Sequence, residues 1–256
     1  MTLPIRIGLV DATRAGLDPA KLAEVAAALD VQVTRDVSRD WDIQATVQVV
    51  PYKHQIAQGV WPVFVVDRIP RGEGGFRTTS NHQPYAKVVA GPTWTIDCSR
   101  EIIEMLVDPS GNRLHIAPAI EIRHDGVCDV PGELAYVVEA CSPCTDVYAI
   151  DGYAVSDFIT PHYYDGDARR FSFTGAITRP RQLVASGYLS YLDVDTDVIK
   201  QIRPPELVEL GSAEGKSLRS FVDENTPPAQ RTVPAKVTMQ QGPLVAAARA
   251  HARKYL

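Results

Sequence analysis

The chain has 256 residues, 45% of them hydrophobic and 22% charged, with a formal net charge of −5. This composition suits a soluble globular protein long enough to bury a sizeable core. An acidic balance excludes non-specific nucleic-acid binding, which needs a basic footprint. No apolar run reaches the roughly 18 residues of a membrane span.

The first residues, Met1 to Ile7, run straight into a strand pattern and lack the layout of a signal peptide. A cytoplasmic location is therefore expected, with the four cysteines reduced. Ile5 to Val10 reads as a strand. Asp18 and Pro19 open a helix as N-cap and first helical residue. Leu22, Val25, Ala26 and Leu29 follow at helical spacing, and Val33, Val37 and Trp41 extend the same face.

Thr46 to Val50 alternates as a strand, and Pro62 to Asp67 reads as a buried central one. Arg71 to Pro84 is glycine-rich and polar, and is expected to be loop. Lys87 to Ala90 is strand, and Trp94 to Val107 is a helix stopped by Asp108-Pro109 and Gly111-Asn112. Ala135 to Ala140 and Val147 to Ala149 read as strands on either side of Cys141-Ser142-Pro143-Cys144. Asp151-Gly152 signals a hairpin. Val155 to Pro161 is followed by a polar loop, Asp165 to Arg170. Beyond Val208 the texture changes: 209–241 reads as a polar arm or linker, and 242–256 as a C-terminal helix with an Ala-rich face and a basic end.

The chemistry concentrates in Arg100-Glu101-Ile102-Ile103-Glu104-Met105-Leu106-Val107-Asp108-Pro109. In the H-E-x-x-H helix of zinc peptidases, two His one turn apart hold Zn²⁺ and the Glu beside the first is general base. Here Glu101 keeps the base position and Glu104 the second ligand position, but Arg100 stands at the first. A guanidinium has no lone pair to offer a cation.

Several further motifs stand in order along the chain: Gln32 to Asp36, Trp94-Thr95, Glu139 to Pro143, Asp151-Gly152, Val155 to Phe158, Thr160-Pro161, Ile177 to Pro180 and Gly187-Tyr188. Together with the Ser99 to Pro109 helix, they resemble uncharacterised bacterial zincin-like proteins of metzincin type, whose helix reads S-H-E-[LIV]-[LIV]-E-M-[LV]-[AV]-D-P. The resemblance spans most of residues 1 to 205. It implies an α+β, zincin-like domain over residues 1–208: a twisted mixed sheet backed by helices, with an irregular C-terminal half. This chain departs from the pattern at Arg100, where relatives carry His, and at Ser142, where they tend to carry Asp.

Two readings are open. In the first, the chain is a pseudoenzyme whose cleft binds a peptide or a protein, with no metal cofactor. Arg100 then takes the place of the lost cation and balances Glu104 and Glu139. In the second it is an active enzyme, either a peptidase with unusual metal ligands or a cleft using Glu101 as acid/base. Zinc or another divalent cation would then sit on Glu104 and Glu139, and Asp108 or Asp157 in the set would suit Ca²⁺ or Mg²⁺ better than zinc. His162, after Thr160-Pro161, is a further candidate at the site. Cys141-x-x-Cys144 reads mainly as a turn with ordinary thiols, a metal site, disulfide or redox pair being the alternatives. The C-terminal helix offers a surface for its own domain or for a second copy.

Overall fold

A computed structural model describes residues 3–51, 56–70, 74–119, 121–122, 128–129, 132–166, 170–184 and 186–231. Strand β1 (Ile5–Asp11) carries four consecutive buried residues, as a strand covered on both faces requires. The Asp18 carboxylate caps α1 (Pro19–Val31) by accepting from the Ala20 N–H at 2.9 Å. After α1 the coil widens: Gln32–Val37 winds as a π-helix before α2 (Ser38–Trp41). Val33, Val37 and Trp41 are buried as the helical spacing predicts. Gln32 and Asp36 of the π-turn are buried as well.

Strands β2 (Ala45–Val49), β3 (Val60–Val66), β4 (Gly75–Ser80) and β5 (Gln83–Val89) complete a five-stranded sheet in the order β2-β1-β3-β5-β4. β1, β2, β3 and β5 run parallel, and only β4, at the edge, is antiparallel. The expected loop from Arg71 to Pro84 is thus mostly a hairpin. Its turn is Asn81-His82, both at positive φ (50° and 62°), the geometry of a two-residue hairpin turn. Helix α3 (Trp94–Val107) then packs against this sheet; twelve of its fourteen residues are buried, so each polar group on it needs a partner.

The second half builds a separate antiparallel sheet. Its strands are β6 (Leu114–Pro118), β9 (Glu133–Val137), β12 (Leu189–Asp193), β13 (Val198–Arg203) and β14 (Glu206–Gly211), in the order β14-β13-β12-β9-β6. Between β6 and β9 lies a short pair, β7 (Glu121–Ile122) with β8 (Cys128–Asp129). The hairpin at Asp151-Gly152 joins β10 (Val147–Ile150) to β11 (Tyr153–Ser156), and α4 (His162–Asp165) follows. One apolar core runs from the first sheet through α3 to Tyr136, Leu189 and Ile202 of the second.

The architecture is mixed α+β. The second half is more regular than expected, and the boundary at 208 falls inside β14. The stretch read as a polar arm contains α5 (Leu218–Asn225) and α6 (Pro228–Arg231), so it is ordered up to 231. The expected C-terminal helix, and any pairing through it, lies outside the described residues. No helix among the described residues is long and apolar enough to cross a membrane.

Candidate functional site

Arg100 and Glu104, one turn apart on α3, both reach the same residue of the turn after β9. The Cys141 N–H donates to Glu104 Oε1 at 2.8 Å, and Arg100 Nη1 donates to the Cys141 carbonyl at 3.2 Å. The pair therefore clamps one stretch of backbone instead of pairing with each other. The cation in contact with Glu104 is Arg77 of β4, whose Nη2 donates to Oε2 at 3.1 Å. Burial would raise the Glu104 pKa. Arg219, Arg77, the Cys141 N–H and Arg100 outweigh it and hold the carboxylate below its usual range.

Glu139 lies 0% exposed just after β9. Its Oε1 accepts from Ser142 Oγ at 3.0 Å and from Arg219 Nη1, and its Oε2 accepts from Ser190 Oγ at 2.8 Å. Ser142 thus donates a hydrogen bond where an acid would repel Glu139. Arg219 comes from α5, and its Nη2 also pairs with Asp223 one turn on, at 3.0 Å. Gly111, the expected helix stop, has a second use. Its carbonyl accepts from the Arg219 N–H at 2.8 Å, and a Cβ there would stand 3.0 Å from Ser217 Oγ and 3.2 Å from Arg219 Cβ.

Glu101 is half-buried at a pocket shared with Gly75, Phe76, Arg100, Glu104, Arg219 and Asp223. About 10 Å³ is free there, room for one water molecule. Burial first, then the Asp223 carboxylate, pushes its pKa up to about 8 against the pull of Arg77, Arg219 and Arg100. Glu101 is therefore mostly protonated at neutral pH, a proton donor before it is a base. Gly75 packs closely beside it: a Cβ there would stand 3.2 Å from both Glu101 Cγ and Oε1, so the Glu101 side chain would have to shift.

Two predicted site residues lie elsewhere. Asp157 is tied to the Phe158 N–H, the Thr174 N–H and the Thr174 hydroxyl, at 2.8, 3.0 and 2.6 Å; burial raises its pKa. His162 opens α4 and lines neither pocket beside α3. Cys141 and Cys144 are buried free thiols in a bend, and burial pushes both pKa values well above the usual range, so neither is a ready nucleophile. Behind α3, Ser99 donates to the Gln32 side chain at 2.7 Å and accepts from the Ser156 N–H at 2.9 Å, and Tyr148 joins Gln32 to Asp36. This relay holds the Ser99 side of α3. Arg77, Arg219 and Ser190 escape sequence reading, since none belongs to a motif and each arrives through tertiary packing.

No family model matches the chain, and neither does any curated protein or solved structure. The zincin resemblance implies a bound zinc, and the donor set does not fit one. Arg100 cannot ligate, and both oxygens of Glu104 and of Glu139 already accept from N–H or hydroxyl donors. Among the described residues, no group of three or more His, Cys, Asp or Glu is arranged to hold a metal ion.

Proposed function

We propose that this chain is a degenerate, zincin-like peptidase relative that binds an extended peptide without zinc hydrolysis. One observation carries the reading: Arg77 and Arg219 contact the two carboxylates on which a metal would depend, and Arg100 stands beside them. Three guanidinium groups supply the positive charge that a divalent ion would otherwise bring. A mixed sheet with an antiparallel edge strand in front of α3 supports the resemblance.

The edge strand also supports the ligand class. Gly74 carbonyl accepts from the Val89 N–H at 2.7 Å. By antiparallel alternation, Gly75, Arg77 and Thr79 then turn their main-chain groups to the open edge of β4. An extended peptide adds to such an edge by main-chain hydrogen bonds. The test is a binding measurement with fluorescein-labelled random nonapeptides, alongside a peptidase assay on the same pool. Binding without cleavage is expected; cleavage that a chelator abolishes would overturn the reading.

A second reading rests on Glu101. A carboxyl group with a pKa near 8 at a pocket wall is equipped to donate a proton to a bound substrate. Turnover of any substrate that vanishes in Glu101→Gln and fades as pH rises past 8 would favour it.

A further inference from the structure

Helix α5 of the chain's own arm lines both pockets beside β4 and α3. Ser217, Arg219 and Ser220 face Arg77, Thr78 and Thr79 in one, while Arg219 and Asp223 face Gly75 and Phe76 in the other. The seat of Arg219 is built from Glu139, Ser142 and Ser190, all outside the arm. The arm supplies Asp223, which pairs with Arg219 Nη2 at 3.0 Å, and the guanidinium itself. If it left with nothing in exchange, Glu139 would remain as a buried, unpaired charge, so the seat demands a cation.

The arm is held in a way that permits exchange. α5 packs through a cluster separate from the main core: Tyr188, Ile199 and Val222, joined by Leu192, Leu210, Ala213, Leu218 and Phe221. It follows Gly211 and Gly215, both at positive φ (104° and 82°). Its latches to the rest of the chain include Arg219 N–H to Gly111 carbonyl at 2.8 Å, Leu218 N–H to Asn112 Oδ1 at 2.9 Å, Arg203 Nη2 to Asn225 carbonyl at 2.9 Å, and Gln201 Nε2 to Thr226 Oγ1 at 2.9 Å.

We propose, resting on the peptide-binding reading, that residues 217–226 are a built-in occupant of the cleft, that Arg219 stands in for an arginine of the partner peptide, and that an arginine-bearing peptide displaces the arm. A carboxylate flanked by two hydroxyls in a dry seat matches the planar fork of a guanidinium better than the point charge of an ammonium.

The test is hydrogen exchange of the α5 segment in the full-length wild-type chain, with blocked nonapeptide pools carrying a fixed central Arg, Lys or citrulline. Exchange across 217–226 rises about tenfold or more with the Arg pool alone. Peptide binding that leaves α5 protected overturns this proposal and spares the peptide-binding reading. Binding by none of the pools sinks both. A ligand-independent arm uses Arg219→Ala: ethylguanidinium restores thermal stability and α5 protection and ethylammonium does not. Equal rescue by the two, or by neither, overturns the guanidinium seat.

Discussion

Replacing Arg77 by Met removes the cation in contact with Glu104 while keeping an apolar stem of similar length. Both side chains are 3% exposed and lie 3.1 Å apart, and breaking such a buried pair typically costs about 3–5 kcal/mol because the remaining charge is stranded. Glu104 keeps the Cys141 N–H and the fields of Arg219 and Arg100, which sets the expected loss at the low end, about 3 kcal/mol. At roughly 2–4 °C per kcal/mol for a chain of this size, Tm falls by about 6–12 °C. Urea unfolding reads the same loss as a lower midpoint at unchanged slope. Adding Glu104→Gln removes the stranded charge and retains an acceptor for Cys141, so the double variant regains most of the loss. The penalty also shrinks at acid pH, where Glu104 takes up a proton. A loss below about 1 kcal/mol, or strict additivity of the two changes, would refute the pairing on which the account stands.

Three further outcomes are expected. Glu101 stays protonated in the folded chain up to about pH 8 but ionises near 4.5 when unfolded. The folded state thus holds the extra proton between those values, and stability falls as pH rises through them and levels off above 8. Glu101→Gln removes that slope and gains roughly 2–4 kcal/mol over wild type by pH 9, allowing for the partial exposure of the group; a parallel pH profile for the two proteins would contradict the assignment. Thr79→Pro removes one outward N–H from the edge of β4, where proline is tolerated. It leaves the urea midpoint nearly unchanged and weakens peptide binding; equal binding would exclude the edge as the docking line. Arg100→His alone gains no tight zinc site in a calorimetric titration, because Arg77 and Arg219 still hold Glu104 and Glu139; stoichiometric binding would show that these contacts yield readily.

Much of the scaffold was legible in the chain because hydrophobic period and capping agree there. Asp18-Pro19, the apolar run at 62–67 and the spacing of Trp94 to Val107 mark elements that the fold contains. The edge hairpin was hidden by its own glycines: Gly74 and Gly75 read as loop, yet they lie at the edge strand, closely approached by Asp97 and Glu101. Strands β12 and β13 were hidden because Ser190 and Gln201, both 0% exposed, sit at core positions and break the apolar pattern. The same residues support Glu139, so the site itself blurred the signal that would have revealed the strands. Arg100, Glu101, Glu104 and Glu139 were readable as a cluster from the helix motif and the Glu139 to Pro143 turn. Their partners were not, since Arg77 lies 27 residues and Arg219 80 residues away along the chain from the carboxylates they meet. The polar texture after Val208 has a related origin. Ser217 caps α5 by accepting from the Ser220 N–H at 3.2 Å, and Arg219 and Asp223 face a charged pocket.

The central claim is that guanidinium groups stand where a metal ion would be needed. Elemental mass spectrometry of the native protein, purified with neither added metal nor chelator, tests it most directly. The account predicts no stoichiometric zinc or other divalent ion, and a melting temperature that chelator leaves unchanged. Zinc near one atom per chain, lost with stability on chelation, would contradict it and require Arg77 and Arg219 to leave the carboxylates they hold here.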